Sequence, residues 1–218
     1  MKQDWDEFWG ELEREENLFR KFLSFYRIQI IARAVNYYIN KYFEPEGVFV
    51  ECGAGKSETT MKTRKLNRKF VALDFSGSVL KMAITNRKID CCVNADIFSL
   101  PFKDNSVDGI WNIGVMEHFT ANHIDKILKE FRRVIKNDGC ILLFWPMVYA
   151  PYEIFISIIE FMVNRFSKEH FQIYPDEIFR LRSRMQGREI LAKNNFKSPK
   201  AYFNFRDAFS FCVVIGTK

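Results

Sequence analysis

No Cys-x-x-Cys pair occurs in the 218 residues; of the five cysteines only Cys91 and Cys92 stand together. That pattern argues against a disulfide framework and against a thiolate zinc site, and it predicts a reducing, cytoplasmic setting. No secretory leader is expected, because Met1-Lys2-Gln3-Asp4-Trp5-Asp6-Glu7 is polar and acidic where a basic segment would stand. The most apolar stretch, Ile154 to Val163, is interrupted by Glu160 and is too short to cross a bilayer. With neither internal repeat nor low-complexity linker, the length predicts one domain with a small addition. The net charge of +6 permits anionic partners without requiring them. What is abundant is phenylalanine: 23 of them call for a large core or an apolar pocket.

The organising stretch is Val48-Phe49-Val50-Glu51-Cys52-Gly53-Ala54-Gly55-Lys56-Ser57. Its apolar start predicts a buried parallel strand that runs into a glycine turn. Glycine there supplies positive φ angles and room for a ligand to approach the main chain. A phosphate-binding loop would need glycine where Val50 stands, and a dinucleotide fold would need it at Glu58. Glu51, two residues before Gly53, belongs to neither pattern.

Along the chain, residues 1–16 place Trp5, Phe8, Trp9 and Leu12 at helical spacing, read as an amphipathic helix on the body or a flap over a pocket. Apolar residues every three or four positions predict a long helix from Asn17 to Phe43, stopped by Glu44-Pro45-Glu46-Gly47. Ser57–Leu66 is expected to be a crossover helix, and Lys69–Asp74 a second buried strand ending in an acid. Asp74 falls where nucleotide folds place the carboxylate for ribose hydroxyls, or it caps the helix near Gly77. Ile89–Asn94 and Gly109–Gly114 read as further strands, Pro175–Asn194 as the last long helix, and Ala201–Phe205 with Ser210–Gly216 as a terminal hairpin.

Together these motifs carry a resemblance. Glu51-x-Gly-x-Gly resembles the first motif of class I S-adenosylmethionine-dependent methyltransferases. Asp96 precedes Leu100-Pro101-Phe102, then Ser106-x-Asp108, a strand, and Glu117-His118-Phe119, which is similar to the type-11 branch. Ile127–Gly139 matches that family's next helix and turn, with Asn137-Asp138-Gly139 where Pro-Gly-Gly is usual, and Cys140–Pro146 the following strand. The match spans roughly 47–146.

The resemblance implies an α/β, Rossmann-like, doubly wound and mostly parallel seven-stranded sheet with an antiparallel C-terminal hairpin strand. Added N-terminal helices (1–46) would cap a methyltransferase domain (47–218) carrying a lid-like insertion at about 149–174. The implied cofactor is S-adenosylmethionine, leaving S-adenosylhomocysteine. By the same resemblance Glu51 orders the turn and faces the methionine end, while Gly53, Ala54 and Gly55 let the main chain approach. Asp74 accepts from the ribose, Phe75 lies on the adenine, and Asp96 and the Ile97 amide meet its edge. Backbone from Asn112 to Gly114 meets the ammonium, and Arg33 is a candidate for the carboxylate. Glu117 and His118 are candidates for base or acceptor anchor, though His118 can equally be a backbone-bonded helix-start residue. The implied acceptor is a small molecule. RNA or protein remains an alternative through Arg180, Arg182, Arg184 and Arg188, as does a non-catalytic cofactor-binding module. The oligomeric state is not readable.

Overall fold

The structure, a computed structural model, describes residues 18–151 and 177–218, with positions 154, 157, 158, 161, 164 and 165 between them. The expected helix over 1–16 and most of the 149–174 insertion lie outside the described residues.

Seven strands form one sheet in the order β3-β2-β1-β4-β5-β7-β6. They are β1 (Glu46–Cys52), β2 (Asn67–Asp74), β3 (Cys91–Asn94), β4 (Val107–Ile113), β5 (Ile135–Pro146), β6 (Lys197–Tyr202) and β7 (Phe211–Thr217). Strands β1 to β5 pair in parallel, and β7 runs antiparallel to both β5 and β6. The order reverses between β1 and β4, so the glycine turn after β1 opens at the switch point where doubly wound sheets bind ligands.

Alternation along the strands divides the core between two faces. Val50, Ile110, Ile141 and Leu143 meet Ile124, Ile127, Leu128, Phe131 and Val134 of α4 (Ala121–Val134). Those five recur every three or four residues, and each adds about 1.5–3 kcal/mol on burial. Thr120 caps this helix through the His123 N–H. On the other face Phe49, Phe70, Trp111 and Phe144 pack against Ile31, Val35, Tyr38 and Ile39. The Phe43 and Phe49 rings stack at 4.6 Å, and Phe70 meets Trp111 edge-on at 5.5 Å. Phe43, Phe49, Phe70 and Phe144 therefore serve this core.

The long N-terminal helix is present as α1 (Leu18–Tyr26), a π-helical turn (Arg27–Ile31) and α2 (Ala32–Tyr42). Buried Arg68 closes its C-terminal end, donating to the Glu44 and Phe43 carbonyls at 2.6 and 2.7 Å and to Asn40 Oδ1 at 2.7 Å. These carbonyls have no helical partner of their own.

Three sequence expectations need correction. Ser57–Leu66 is not a helix but a single 3₁₀ turn, Glu58–Thr60, between left-handed Ser57 (φ 51°) and Leu66 (φ 48°). The Thr59 and Thr60 hydroxyls are committed to Glu51, and the Ser57 carbonyl to Asn86 Nδ2. Tertiary bonds thus hold a conformation that a helix would break. The last helix is also shorter: α5 spans Arg184–Lys193, with Ser183 capping it through the Gln186 N–H. Residues just before it are held extended, because Leu181 bridges Met147 and donates to the Pro146 carbonyl. Finally, β5 begins at Ile135, directly after α4, with a register irregularity before Cys140 and with Asp138 at φ 68°. The remaining helix, α3 (Gly77–Ala83), is capped by Ser76, so the capping role considered for Asp74 belongs to its neighbour.

Candidate functional site

Glu51, Asp74 and Asp96 come from the C-terminal edges of three adjacent strands, β1, β2 and β3. Glu51 is 3% exposed on the aromatic face of the sheet. Its carboxyl accepts from Thr59 Oγ1 at 3.1 Å and Thr60 Oγ1 at 2.8 Å. Burial pushes it up to about 7, an effect partly offset by Thr60, Ser57, Thr59 and Trp111. Of the two roles expected for Glu51, ordering the turn is therefore visible in its bonds. A carboxyl that holds its proton more tightly than usual suits that buried position.

The glycine turn is sewn to β2. Gly53 and Ala54 N–H both donate to the Leu73 carbonyl, at 2.8 and 3.0 Å. Gly53 (φ 69°) and Gly55 (φ 51°) are left-handed. A Cβ on Gly53 would lie 2.5 Å from Val115 Cγ2, so the turn and the end of β4 approach too closely for a side chain. Asp74 Oδ2 accepts from Gly55 N–H at 2.8 Å, and Oδ1 from Ser76 N–H at 3.0 Å. Phe75, next along, is 52% exposed. Asp96 Oδ1 accepts from Phe98 N–H at 3.0 Å, which closes a turn beside the buried Ile97. The three acids thus converge on one end of the sheet, on loops tied to each other.

Beside this, the fourth strand ends at Gly114 (φ 63°), whose N–H donates to the Phe144 carbonyl. Asn112 is fully buried, and neither atom of its side-chain amide has a hydrogen-bond partner among the described residues. The 3₁₀ turn Met116–His118 follows, with Glu117 3% exposed and its Oε1 3.9 Å from His118 Nε2. The Glu117 carbonyl accepts from two successive amides, Ile178 at 2.7 Å and Phe179 at 2.9 Å. Trp145 Nε1 donates to the Phe179 carbonyl at 2.9 Å. The chain after the insertion is thereby held against the end of β4.

A family profile described as "Methyltransferase domain" matches residues 50–143, the stretch that carries the glycine turn, both aspartates and Glu117. An uncharacterized protein of Methanocaldococcus jannaschii is 30% identical over 159 residues, 67% of each chain. The chain belongs to the class I S-adenosylmethionine-dependent methyltransferases, in the type-11 branch. The malonyl-[acyl-carrier protein] O-methyltransferase of Erwinia pyrifoliae is 33% identical over 94 residues, 43% of this chain and 35% of that protein. Among solved structures, a SAM-dependent methyltransferase of Thermotoga maritima covers 98% of this chain and 97% of its own, with a TM-score of 0.63 and 20% identity.

Methyl transfer from S-adenosylmethionine is accordingly this methyltransferase's activity class. The chemistry of these residues is compatible with that cofactor: carboxylates able to accept from hydroxyl or amino groups share one end of the sheet with an exposed aromatic ring and with the buried Asn112 amide, which has no hydrogen-bond partner among the described residues. Among the described residues no cluster has the make-up of a metal site.

Two expectations gain no support. Arg33 is exposed on α2 and donates to Gln29 Oε1, with no bond tying it to the glycine turn among the described residues. Of the arginines in the 180–188 stretch, Arg180 pairs with Glu177, and Arg188 donates to the neutral Pro199 carbonyl. Sequence reasoning missed Thr59 and Thr60, whose signal was a β-branched pair within a supposed helix. It also missed Val115, Ile178 and Phe179, for which no local signal exists.

Proposed function

We propose that this methyltransferase acts on a small-molecule acceptor, by in-line displacement at the end of β4. The supporting observation is the pair of hydrogen bonds that the Ile178 and Phe179 N–H groups donate to the Glu117 carbonyl. It ties the chain that follows the insertion at about 149–174 to Glu117, and the Met147–Leu181 bridge joins that chain to the residue just before the insertion. An acceptor side bounded by chain that is tied down at Glu117 favours a ligand that can be enclosed over an open polymer.

When bound, S-adenosylmethionine supplies an electrophilic methyl carbon on a sulfonium leaving group. In our reading Asp74 accepts the ribose hydroxyls, already aimed by its bonds to Gly55 and Ser76. Phe75 presents its exposed face to the adenine, while Asp96 and the Ile97 amide read the base edge. Gly53, Ala54 and Gly55 keep the main chain open to the methionine portion, and Glu51 holds that turn in shape. Backbone carbonyls from Asn112 to Gly114 accept from the ammonium, because the Gly114 N–H is already committed and an ammonium only donates. Glu117 and His118 stand at the acceptor side, where either can hold the acceptor or take its proton. The rate gain comes chiefly from alignment, since no covalent enzyme intermediate is needed.

The test is transfer of label from methyl-tritiated S-adenosylmethionine into a cell extract resolved by mass. Label in a low-mass product other than S-adenosylmethionine itself, formed only when this protein is added, supports the reading. Label confined to RNA or protein overturns the small-molecule acceptor while leaving the methyltransferase assignment intact.

A further inference from the structure

At the end of the sheet opposite the glycine turn lies a cavity of about 300 Å³, lined by Asp104, Asn105, Lys129, Arg132, Arg133 and Lys218, with Lys193 to Asn195 at its rim. It gathers the loop before β4, the C-terminal ends of α4 and α5, and the end of β7. Because β7 alone runs antiparallel, its last residue returns to the end of the sheet where the parallel strands begin. The cavity is therefore separate from the methyl-transfer site.

Its charge does not balance. Five cations (Lys129, Arg132, Arg133, Lys193, Lys218) face three carboxylates: Asp104 and Glu130 hold Arg133, and Asp125 holds Lys193. Among these side chains, five minus three leaves an excess of two positive charges. Arg132 makes one bond, from Nε to the Asn195 carbonyl, and among the described residues neither it nor Lys129 forms an ion pair. Lys218 is the telling member. Its Nζ donates to Asn105 Oδ1 at 2.6 Å, the Ile135 carbonyl at 2.8 Å and the Arg133 carbonyl at 3.5 Å, all neutral oxygens. Its donors are satisfied but its charge is not. Burial and then Arg132 hold its pKa below the ordinary lysine value, with Asp104 opposing. Last-turn placement against the helix dipole accounts for Arg132, Arg133 and Lys193. It does not account for Lys218, which a strand brings to the same cavity.

We propose that this cavity binds a phosphate group. A small, hydrogen-bonding dianion matches both the excess charge and the donor set, with Arg132 supplying the planar fork and Lys129 and Lys218 the point charges. The group can arrive as a free anion or within a polynucleotide backbone; the chemistry at the cavity is the same.

The experiment is calorimetric titration of the full chain with inorganic phosphate at low ionic strength, with and without saturating S-adenosylhomocysteine. Saturable binding is expected, unchanged by the homocysteine product and weakened by added chloride. Lys129→Gln combined with Arg132→Gln is expected to weaken it about tenfold or more, the scale of one lost charged hydrogen bond. Lys81→Gln on α3, which matches the single charge loss of Lys129→Gln, is expected to leave it unchanged. Displacement of phosphate by a short oligoribonucleotide identifies a backbone phosphate as occupant, and retention identifies a free anion; both uphold the site. Absence of saturable phosphate binding, or equal affinity in the double variant and the Lys81→Gln control, overturns it. Should circular dichroism show the double variant unfolded, Lys129→Gln alone carries the comparison.

Discussion

The Asp74 carboxylate accepts a hydrogen bond from the Gly55 amide at 2.8 Å, so the acid at the end of β2 and the glycine turn after β1 form one unit. A group assigned to the ribose is also a brace for the main chain that must approach the methionine.

Replacing Asp74 therefore removes two things at once. Asp74→Ala is expected to weaken S-adenosylhomocysteine binding by roughly 1.5–3 kcal/mol, the scale of a lost charge-assisted bond. Asp74→Asn, which keeps one acceptor oxygen, is expected to fold with less loss of stability and still bind weakly. Calorimetry on both variants, folded by circular dichroism, checks this. Unchanged affinity in either removes the ribose role.

Gly53 offers a test of the close approach. At φ 69°, and with a built Cβ only 2.5 Å from Val115 Cγ2, Gly53→Ala carries both backbone strain and a steric clash. A loss of about 1–3 kcal/mol in folding stability is expected. Adding Val115→Ala relieves the clash but not the strain, so the double variant regains part of that loss. Urea denaturation of the single and double variants measures the difference, and no recovery would show that Val115 is not the obstacle.

Glu51 makes a prediction about pH. Its folded pKa is raised to about 7 by burial, from an unfolded value near 4.5. The folded state then holds the proton more tightly, so stability is greatest below the unfolded value and falls as pH rises from 4.5 to 7. The full effect is about 3 kcal/mol for a shift of this size. Asp207, pushed up to about 6 by burial, adds a slope of the same sign beginning lower. Glu51→Gln is expected to flatten the dependence above pH 5 and to be more stable than the unmodified chain at pH 8. Denaturant midpoints at pH 5 and 8 decide the matter; identical slopes would count against a buried, proton-holding Glu51.

Arg68 is the corresponding test of the frame. Arg68→Met keeps much of the side-chain volume beside Phe49 but leaves the Phe43 and Glu44 carbonyls without their donor. A loss of roughly 2–4 kcal/mol is expected from bonds to a charged group. Thermal unfolding reads it directly, and cofactor affinity is expected to hold at temperatures where the variant is folded.

The chain's own order of residues determined the strands, the position of the glycine turn and the acids at the ends of β1 and β2. These are local matters: a buried parallel strand is an apolar run, and a turn needs glycine where φ is positive. The terminal hairpin was legible in kind and in its second strand, but its first strand lies at Lys197–Tyr202 rather than Ala201–Phe205, and a 3₁₀ turn at Phe205–Asp207 forms part of the connection. Tertiary structure alone decided that Ser57–Leu66 forgoes a helix, because its threonine hydroxyls find Glu51, and that the last helix waits until Arg184, because Leu181 is claimed by Met147. It alone brought Ile178 and Phe179 to Glu117, and Lys218 to Arg132. Periodicity records which face of an element is buried; it carries no record of which distant donor will meet which carbonyl, and that pairing is settled only when the sheet closes.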